Sequence, residues 1–327
     1  MKKIIAYTRV ADEVLNSLKK DYDVHYFKNS ESIDHPHFLK TLRETVGIIG
    51  LEFKATTDIL NYAPNLKAIS NISVGYDNLD IHALNTHKVI ATNTPDTLTE
   101  TTADAVFGLM LATARRIPEL HNYVMDGKWD RYLTHDQFGV DLHGKTVGII
   151  GMGNIGKAVA KRCALGFDMN VLYYNRSRKP DAEELYNAVY TEFDELLKTA
   201  DFICLMLPAT PETKHIISIR EFELMKPTAI YINCSRGINN DELALFNALK
   251  NKDILAAGID VYEKEPVDKN NPLLTLDNIV TLPHIGPATI ENELNMCKRA
   301  EQNLRDSLTN KTPRDIINPE VFNERDI

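Results

Sequence analysis

Three polar side chains with complementary chemistry lie in short motifs near the middle and end of the chain. Arg236 lies in NCSRG, Glu265 in GIDVYEKEP and His284 in LPHIG. Arginine can hold a carboxylate through two parallel hydrogen bonds, and histidine can exchange a proton near neutral pH. Glutamate can orient such a histidine and raise its pKa. These residue types suit acid–base chemistry on a substrate that carries a carboxylate.

Each of these residues also has a structural interpretation when it is taken alone. Arg236 could cap a turn, Glu265 could be a solvated loop acid, and His284 could be a structural histidine. All three, however, come after apolar runs that predict successive parallel strands, and ligands bind outside the carboxyl ends of such strands. Their joint placement favours one shared site.

A second candidate site lies in residues 145–177, where two apolar runs flank a glycine-rich turn. Gly151, Gly153 and Gly156 form the pattern G-x-G-x-x-G, which permits a tight turn, close approach of a pyrophosphate and close helix packing. Strands are predicted at 147–150 and 171–174, and the helix between them is predicted to bury a side formed by Ala158, Val159, Cys163 and Leu165. This context predicts a dinucleotide site, with a purely structural turn as the alternative.

The end of the second strand in this unit indicates which dinucleotide binds. Enzymes that use NAD carry an acidic residue there, whereas this chain has Asn175, Arg176 and Ser177. A guanidinium and a hydroxyl suit a 2′-phosphate, so NADPH is predicted in preference to NADH. The alternative is that Arg176 is a solvated charge at the end of a strand.

Strands and helices alternate along the chain in the manner of parallel α/β domains. Earlier strands are predicted at 4–7, 24–27, 46–51, 67–73 and 89–94, and later ones at 202–207, 229–234, 256–261 and 279–282. We therefore predict two doubly wound parallel sheets with a ligand cleft between them. A Rossmann cofactor domain spans 99–289 and includes a long helix at 100–116. A smaller, flavodoxin-like substrate domain is discontinuous and spans 1–98 and 290–327.

Composition limits the class of protein. The chain has 327 residues and a formal net charge of −9, which argues against nucleic acid or an anionic membrane as a partner. Its four cysteines lack any C-x-x-C spacing, and the apolar run at 4–7 is too short for a signal peptide. These features predict a reduced cytoplasmic protein without a metal site.

Several longer motifs occur together with these residues. They are SVGYDNLD at 73–80, ETTADAVFGLMLATARR at 100–116, GIIGMGNIGKAVA at 148–160, NCSRG at 233–237, GIDVYEKEP at 258–266 and LPHIG at 282–286. Over nearly its whole length the chain resembles the D-isomer-specific 2-hydroxyacid dehydrogenases. It is most similar to the branch of glyoxylate/hydroxypyruvate reductases and 2-ketogluconate reductases.

The resemblance implies a role for each site residue. Arg236 and the backbone N–H groups of Val74 and Gly75 bind the substrate carboxylate. His284 is the general acid/base and Glu265 is its partner. Tyr76 lies at the substrate mouth, where family variation leaves the acyl-chain length open. Besides the three glycines and residues 175–177, the implied cofactor-binding residues are Thr102, Asn154, Ile155, Pro208, Thr213, Cys234, Ser235, Asp260 and Gly286.

The activity implied is NADPH-dependent reduction of small 2-keto acids such as glyoxylate and hydroxypyruvate to D-2-hydroxy acids, with 2-ketogluconate as a further candidate substrate. The resemblance also implies a homodimer in which the loop 129–139 lies near the partner's cleft. From the resemblance we expect an enzyme without the regulatory extension of many phosphoglycerate dehydrogenases. Two alternatives stay open, namely an NAD-dependent D-lactate or phosphoglycerate-type dehydrogenase, and a non-enzymatic dinucleotide sensor similar to the corepressors related to this family.

Overall fold

The structure is a computed structural model that describes residues 1–28 and 35–323. The chain divides into two compact units, Met1–Leu98 with Thr289–Ile327 and Thr99–Ala288. Each unit contains a parallel sheet with helices, which confirms the predicted fold class.

The first stretch of the chain contributes five strands to one sheet. They are β1 (Lys2–Tyr7), β2 (Tyr22–Phe27), β3 (Thr45–Gly50), β4 (Ala68–Asn71) and β5 (Ile90–Thr92). The helices of this stretch are α1 (Asp12–Leu18), α2 (Pro36–Leu42), α3 (Thr57–Leu60) and α4 (Ile81–Thr86). The strand order is β2-β1-β3-β4-β5, with every neighbouring pair parallel. This is the flavodoxin-like order.

The second unit begins with a long helix and continues as a seven-stranded sheet. Its helices are α5 (Thr99–Ala114), α6 (Ile117–Met125), α7 (Asn154–Phe167), α8 (Pro180–Tyr186), α9 (Phe193–Thr199), α10 (Ile219–Leu224) and α11 (Glu242–Asn251). Its strands are β6 (Thr146–Ile150), β7 (Asn170–Tyr174), β8 (Val189–Tyr190), β9 (Phe202–Leu205), β10 (Ile230–Asn233), β11 (Ala256–Ile259) and β12 (Ile279–Thr281). Short 3₁₀ turns lie at His135–Gln137, Gly237–Asn239 and Pro272–Thr275.

The strand order of this sheet is β12-β11-β10-β9-β6-β7-β8, again all parallel. From β8 to β11 this is the Rossmann order, and it reverses direction at β6. The polar turns after β6, β9, β10, β11 and β12 therefore lie along the carboxyl edge of the sheet, where such folds bind ligands.

Apolar side chains alternate between the two faces of this sheet. In β9, Phe202 and Cys204 pack in a cluster with α5 and α7, whereas Ile203 and Leu205 pack with α9, α10 and α11. Successive side chains of a strand point to opposite faces, so a strand buried on both faces must be apolar throughout. This explains why the strands of the sequence are continuous apolar runs.

Some local predictions differ from the structure. Leu165 was predicted to face inward but is 67% exposed, because it follows the buried Cys163 by two helical positions and so lies on the opposite side of α7. The long helix predicted at 100–116 ends at Ala114. Arg116 has a left-handed φ of 53° just before α6, a helix that the sequence pattern did not indicate.

The chain ends in the first unit with α12 (Ile290–Leu308) and α13 (Pro319–Asn323). Thr289 caps α12 by accepting from the N–H of Asn292 at 3.2 Å. Helix α12 packs on β3, β4 and β5. Beyond it, Ile316 pairs with Thr92 in an antiparallel bridge. The C-terminal segment thus extends the edge of the first sheet beside β5.

Candidate active site

His284 and Glu265 form a direct pair at the carboxyl edge of the second sheet. Nδ1 of His284 lies 2.7 Å from Oε2 of Glu265. The other oxygen, Oε1, accepts a hydrogen bond from the backbone N–H of Tyr262 at 3.0 Å. The side chains of His284 and Glu265 are 40% and 35% exposed, so a ligand can reach them. Glu265 is thereby fixed by its own loop while it orients the imidazole.

The pair shifts both titrations in the direction that favours opposite charges. The hydrogen bond to Glu265 raises the pKa of His284 above its usual value, against the effect of burial. Burial disfavours the ionised form of Glu265, but the bonds from His284 and from the Tyr262 N–H outweigh it, so the pKa of Glu265 lies below its usual value. The imidazole is therefore poised to hold a proton near neutral pH.

Asp260 holds the turn that carries His284. His284 has a φ of 55°, in the left-handed region that side chains rarely adopt. Oδ1 of Asp260 accepts from the N–H of Ile285 at 2.7 Å, and Oδ2 accepts from the N–H of Gly286 at 2.8 Å. Burial raises the pKa of Asp260, partly offset by these two amides. These two hydrogen bonds offset the conformational free energy that the left-handed φ of His284 costs.

Arg236 lies in the turn that follows β10. Its Nη1 donates to the carbonyl of Ser235 at 2.9 Å, and its own carbonyl accepts from Nδ2 of the fully buried Asn233 at 3.2 Å. A Cβ on Gly237 would lie 1.8 Å from the carbonyl carbon of Tyr262, so the turns after β10 and β11 are in backbone contact. Only glycine fits there.

The structure thus brings Arg236, Glu265 and His284 together within one unit. After the larger effects of hydrogen bonding and burial, the positive charge of Arg236 contributes to lowering the pKa of both Glu265 and His284. A fixed carboxylate–imidazole pair beside a guanidinium can protonate or deprotonate an oxygen of a bound anion.

The glycine-rich turn has the shape that a pyrophosphate needs. Gly151 has a φ of 104°, and a Cβ there would lie 2.6 Å from the carbonyl oxygen of Met206. A Cβ on Gly156 would lie 2.3 Å from the carbonyl oxygen of Gly151. A Cβ on Gly153 would meet no heavy atom of the described chain within 4 Å, so that face of the turn is open. The first N–H groups of α7, which begins at Asn154, lack helical acceptors and can bind phosphate oxygens.

The hydroxyl of Thr102 also fits a bound ligand. This side chain is buried, and its Oγ1 has no hydrogen-bond partner among the described residues. A Cβ built on Gly286 would lie 3.8 Å from that Oγ1 and 3.4 Å from Oδ2 of Asp260, so the groups share one neighbourhood. A buried hydroxyl without a partner is unfavourable unless a ligand or water satisfies it.

The other predicted cofactor residues follow the strands of the same sheet. Oγ1 of Thr213 donates to the carbonyl of Pro208 at 2.7 Å in the segment after β9, and Oγ of Ser235 donates to Oδ1 of Asn233 at 2.8 Å. Burial raises the pKa of the Cys234 thiol well above its usual value, which disfavours its thiolate form. Ile155 lies in the first turn of α7.

Two arginines follow β7, and they differ in their contacts. Arg178 is held in an ion pair, whereas Arg176 faces solvent. Arg178 binds both carboxylate oxygens of Glu183, with Nε at 3.0 Å and Nη2 at 2.8 Å. Arg176 is exposed and forms no ion pair with the residues that the structure describes. Asn175 Nδ2 donates to the carbonyl of Ser177 at 3.0 Å and closes the turn. The pairing of Arg178 with Glu183 was not predicted, because Arg178 precedes α8 and a spacing of five residues is not one at which helical side chains face each other.

The predicted carboxylate-binding loop lies in the first unit, after β4. Val74 and Gly75 are half-buried and Tyr76 is 45% exposed. The backbone N–H groups of Val74 and Gly75 donate to no acceptor within residues 1–28 and 35–323. Two neighbouring N–H groups without acceptors form a potential anion site.

A comparison with family models decides the family. Residues 107–286 match the NAD binding domain of the D-isomer specific 2-hydroxyacid dehydrogenases. The chain belongs to this family. The match covers β6 to β12 and includes Arg236, Glu265 and His284 of the predicted site.

Curated members of the dehydrogenase family match almost the entire chain. Glyoxylate/hydroxypyruvate reductase B of Enterobacter sp. (strain 638) is 44% identical over 318 residues, which are 97% of this chain and 98% of that protein. A probable 2-ketogluconate reductase of Dictyostelium discoideum is 42% identical over 322 residues, 98% of this chain and 96% of that protein. The resemblance inferred from the motifs is therefore confirmed.

A solved dehydrogenase structure agrees with the fold. The NADPH-dependent glyoxylate/hydroxypyruvate reductase of Sinorhizobium meliloti, in complex with NADP and malonate, is 27% identical and superposes with a TM-score of 0.88. Both chains are covered completely.

Other site types are not indicated in the part of the chain that the structure describes. No group of three or more His, Cys, Asp or Glu residues there is arranged to hold a metal ion. No helix within the described ranges has the length and apolarity needed to cross a bilayer.

Proposed function

We propose that this dehydrogenase reduces small 2-keto acids, such as glyoxylate and hydroxypyruvate, to D-2-hydroxy acids with NADPH, and that 2-ketogluconate is a further candidate substrate. The observation that carries the proposal is the hydrogen-bonded His284–Glu265 pair beside Arg236. Relatives that are 42–44% identical over nearly the whole chain are named for these substrates. These names favour keto-acid reduction over the alternative of an NAD-dependent D-lactate or phosphoglycerate-type dehydrogenase.

Each residue of the pair has one task in this proposal. The protonated imidazole of His284 donates its proton to the oxygen that develops negative charge at C2 of the keto acid. Glu265 keeps the imidazole protonated and fixes the orientation of its ring, since it accepts from Nδ1. Nε2 is then the nitrogen that faces the substrate oxygen.

Arg236 supplies the binding energy for the substrate carboxylate. Its planar guanidinium can bind both carboxylate oxygens and so fixes the plane of the keto acid. The family resemblance assigns the same carboxylate to the N–H groups of Val74 and Gly75. Two hydrogen bonds hold Arg236 in place. Asn233 donates to the carbonyl of Arg236, and the guanidinium of Arg236 donates to the carbonyl of Ser235.

The cofactor is proposed to be held by the glycine turn, the first turn of α7 and the free hydroxyl of Thr102. When bound, the reduced nicotinamide supplies the hydride that adds to C2 of the keto acid. Arg176 is proposed to select the 2′-phosphate, because it is exposed and unpaired among the described residues while Arg178 is held by Glu183. The unpartnered hydroxyl of Thr102 lies near Asp260 and Gly286, where a group of the bound cofactor can satisfy it.

The enzyme is also proposed to be a homodimer in a reduced, cytoplasmic environment. Large apolar side chains of residues 117–138 are exposed, namely Ile117, Val124, Met125, Trp129, Tyr132, Leu133 and Phe138. Exposed apolar side chains concentrated in one segment suit an interface with a second copy of the chain. The four cysteines are free, three of them buried, which suits a reducing compartment. Sedimentation at the mass of a monomer would refute the dimer.

A substrate screen tests the central proposal. NADPH oxidation is followed by absorbance with glyoxylate, hydroxypyruvate, pyruvate and 2-ketogluconate, and the chirality of each product is determined. We expect turnover with at least glyoxylate or hydroxypyruvate and a D-product where the product is chiral. Binding of NADPH without oxidation by any of the four acids would refute the proposed activity and favour a dinucleotide sensor.

A further inference from the structure

Two neighbouring carbonyl groups of the predicted carboxylate-binding loop are held from the same side. The carbonyl of Ser73 accepts from the backbone N–H of Thr94 at 2.9 Å. The carbonyl of Val74 accepts from Nδ2 of Asn93 at 2.8 Å. In a planar trans peptide the C=O and N–H groups point in opposite directions. The N–H groups of Val74 and Gly75 therefore both point away from residues 93 and 94.

The contribution of Asn93 differs in kind from that of Thr94. Thr94 uses its backbone N–H, which any residue except proline provides. Asn93 uses a side-chain amide, so the direction of the Val74–Gly75 peptide depends on the identity of this residue. Substitution of Asn93 can therefore change the loop without removing a backbone bond of the sheet.

Asn93 is in turn fixed by the C-terminal segment. Its backbone N–H donates to the carbonyl of Asp315 at 3.2 Å, and its carbonyl accepts from Nδ2 of Asn303 at 3.1 Å. Asn303 is fully buried in α12 and also donates to Oδ2 of Asp315 at 2.9 Å. Arg299 binds both carboxylate oxygens of Asp315, with Nη2 at 2.9 Å from Oδ1. This network fixes the backbone of Asn93, from which its side-chain amide reaches the Val74 carbonyl.

We propose that Asn93 is a positioning residue for substrate binding, which it serves by holding the Gly75 N–H toward the substrate carboxylate. The proposal rests on the proposed function, since that function assigns the carboxylate to this loop. Asn93 acts through the peptide between Val74 and Gly75, and the Arg299–Asp315–Asn303 network holds it in place. Its loss is expected to weaken binding of the carboxylate and to leave proton donation by His284 intact.

The variant Asn93→Ala tests this role through separate readouts. We expect KM for glyoxylate to rise about 3- to 10-fold, as for loss of one neutral hydrogen bond that orders the site, with kcat and KM for NADPH nearly unchanged. The dissociation constant of oxamate, an unreactive small carboxylate, is expected to rise by the same factor when titrated with NADPH present. Asn93→Asp keeps the shape but presents an acceptor to the Val74 carbonyl, so its effect should be larger.

Asn318→Ala is the matched control. Asn318 is a fully buried asparagine of the same unit, whereas Asn93 is half-buried; Oδ1 of Asn318 accepts from the Ala91 N–H at 2.8 Å and its Nδ2 donates to the Val89 carbonyl at 2.9 Å. None of its hydrogen bonds involves residues 73–76. We expect a lower Tm without a change in KM or in oxamate binding.

The outcomes separate the two proposals. An unchanged oxamate affinity in a folded Asn93→Ala variant overturns the positioning role, and so does an equal loss of affinity in Asn318→Ala. If the wild-type protein reduces none of the keto acids, the proposed activity fails, while oxamate titrations of the wild type and both variants still decide the role of Asn93. Failure of oxamate to bind the wild-type protein overturns that role as well.

Discussion

Replacement of Glu265 by glutamine tests the acid–base pair with a minimal change of shape. Glutamine retains an oxygen that can accept from Nδ1 of His284, but it lacks the negative charge. The existing bond of 2.7 Å has the length of a charge-assisted contact. Because that contact raises the pKa of His284, the variant should hold its imidazole proton less tightly.

The sign of the pH effect follows from the direction of the reaction. Reduction needs protonated His284, so its rate falls as the pH rises through the pKa of this residue. Without the carboxylate that pKa is lower, and the alkaline fall moves to lower pH. Oxidation of the hydroxy acid needs neutral imidazole, so its rate rises with pH. In the variant this rise should also occur at lower pH.

The size of the effect can be bounded from the contact. A hydrogen bond to a charged group contributes about 1.5–3 kcal/mol and a neutral one about 0.5–1.5 kcal/mol. The side chains of His284 and Glu265 are 40% and 35% exposed, so solvent screens the charge. The energy difference between the charged and the neutral hydrogen bond should therefore lie at the low end of its range. A loss of about 1 kcal/mol corresponds to roughly a fivefold decrease of kcat. The decrease should apply near neutral pH and shrink below the ordinary imidazole pKa of about 6.5.

Steady-state kinetics in both directions over a range of pH measure this effect. Glu263→Gln is the matched control, since it removes a carboxylate two positions away whose Oε1 contacts His215 at 3.1 Å instead of His284. We expect the control to keep the wild-type profile. A Glu265→Gln enzyme whose alkaline limb coincides with that of the wild type would refute the proton-holding role of Glu265.

Three further substitutions test the remaining assignments. His284→Asn should reduce kcat for reduction by about 10²- to 10⁴-fold while fluorescence titration still detects NADPH binding, and near wild-type kcat at neutral pH would mean that the proton comes from another group. Arg236→Lys keeps the charge but loses the planar fork, so kcat/KM for the keto acid should fall, and a loss smaller than about threefold would argue against a bidentate clamp. Arg176→Ala should raise KM for NADPH about 10- to 100-fold and leave that for NADH nearly unchanged, with added salt narrowing the difference. Equal kcat/KM for both cofactors in the wild-type enzyme would make Arg176 a simple surface charge.

The sequence by itself determined the architecture and the positions of the candidate site. Continuous apolar runs such as 202–205 predict strands buried on both faces, and this pattern belongs to parallel sheets. The spacing of Gly151, Gly153 and Gly156 predicts the turn that the structure contains, because Gly151 has a φ of 104° that few other residues adopt and a Cβ on Gly156 would meet the Gly151 carbonyl. Arg236 and His284 could be placed at one edge because all strands of a parallel sheet end on the same side.

The local sequence pattern was insufficient to predict a very short strand or to assign every residue of a helix to its buried or exposed side. Leu165 was assigned to the buried side of α7 although its helical position points it to solvent. Strand β8 has only two residues, Val189 and Tyr190, and pairs with β7 over that length. Such a strand depends on its neighbour for hydrogen bonds, so the sequence alone carries little signal for it.

Contacts between distant residues were decided only by the tertiary structure. The pairing of Glu265 with His284, and with it the direction of both pKa shifts, depends on the approach of two loops after different strands. Likewise, Asn303 reaches Asn93 across 210 positions, and Asn93 reaches the Val74 carbonyl. Residue types and periodicity specify which groups are available and which face is buried. The distance between two such groups, and therefore their hydrogen bonding and charge, is fixed only when the elements that carry them pack together.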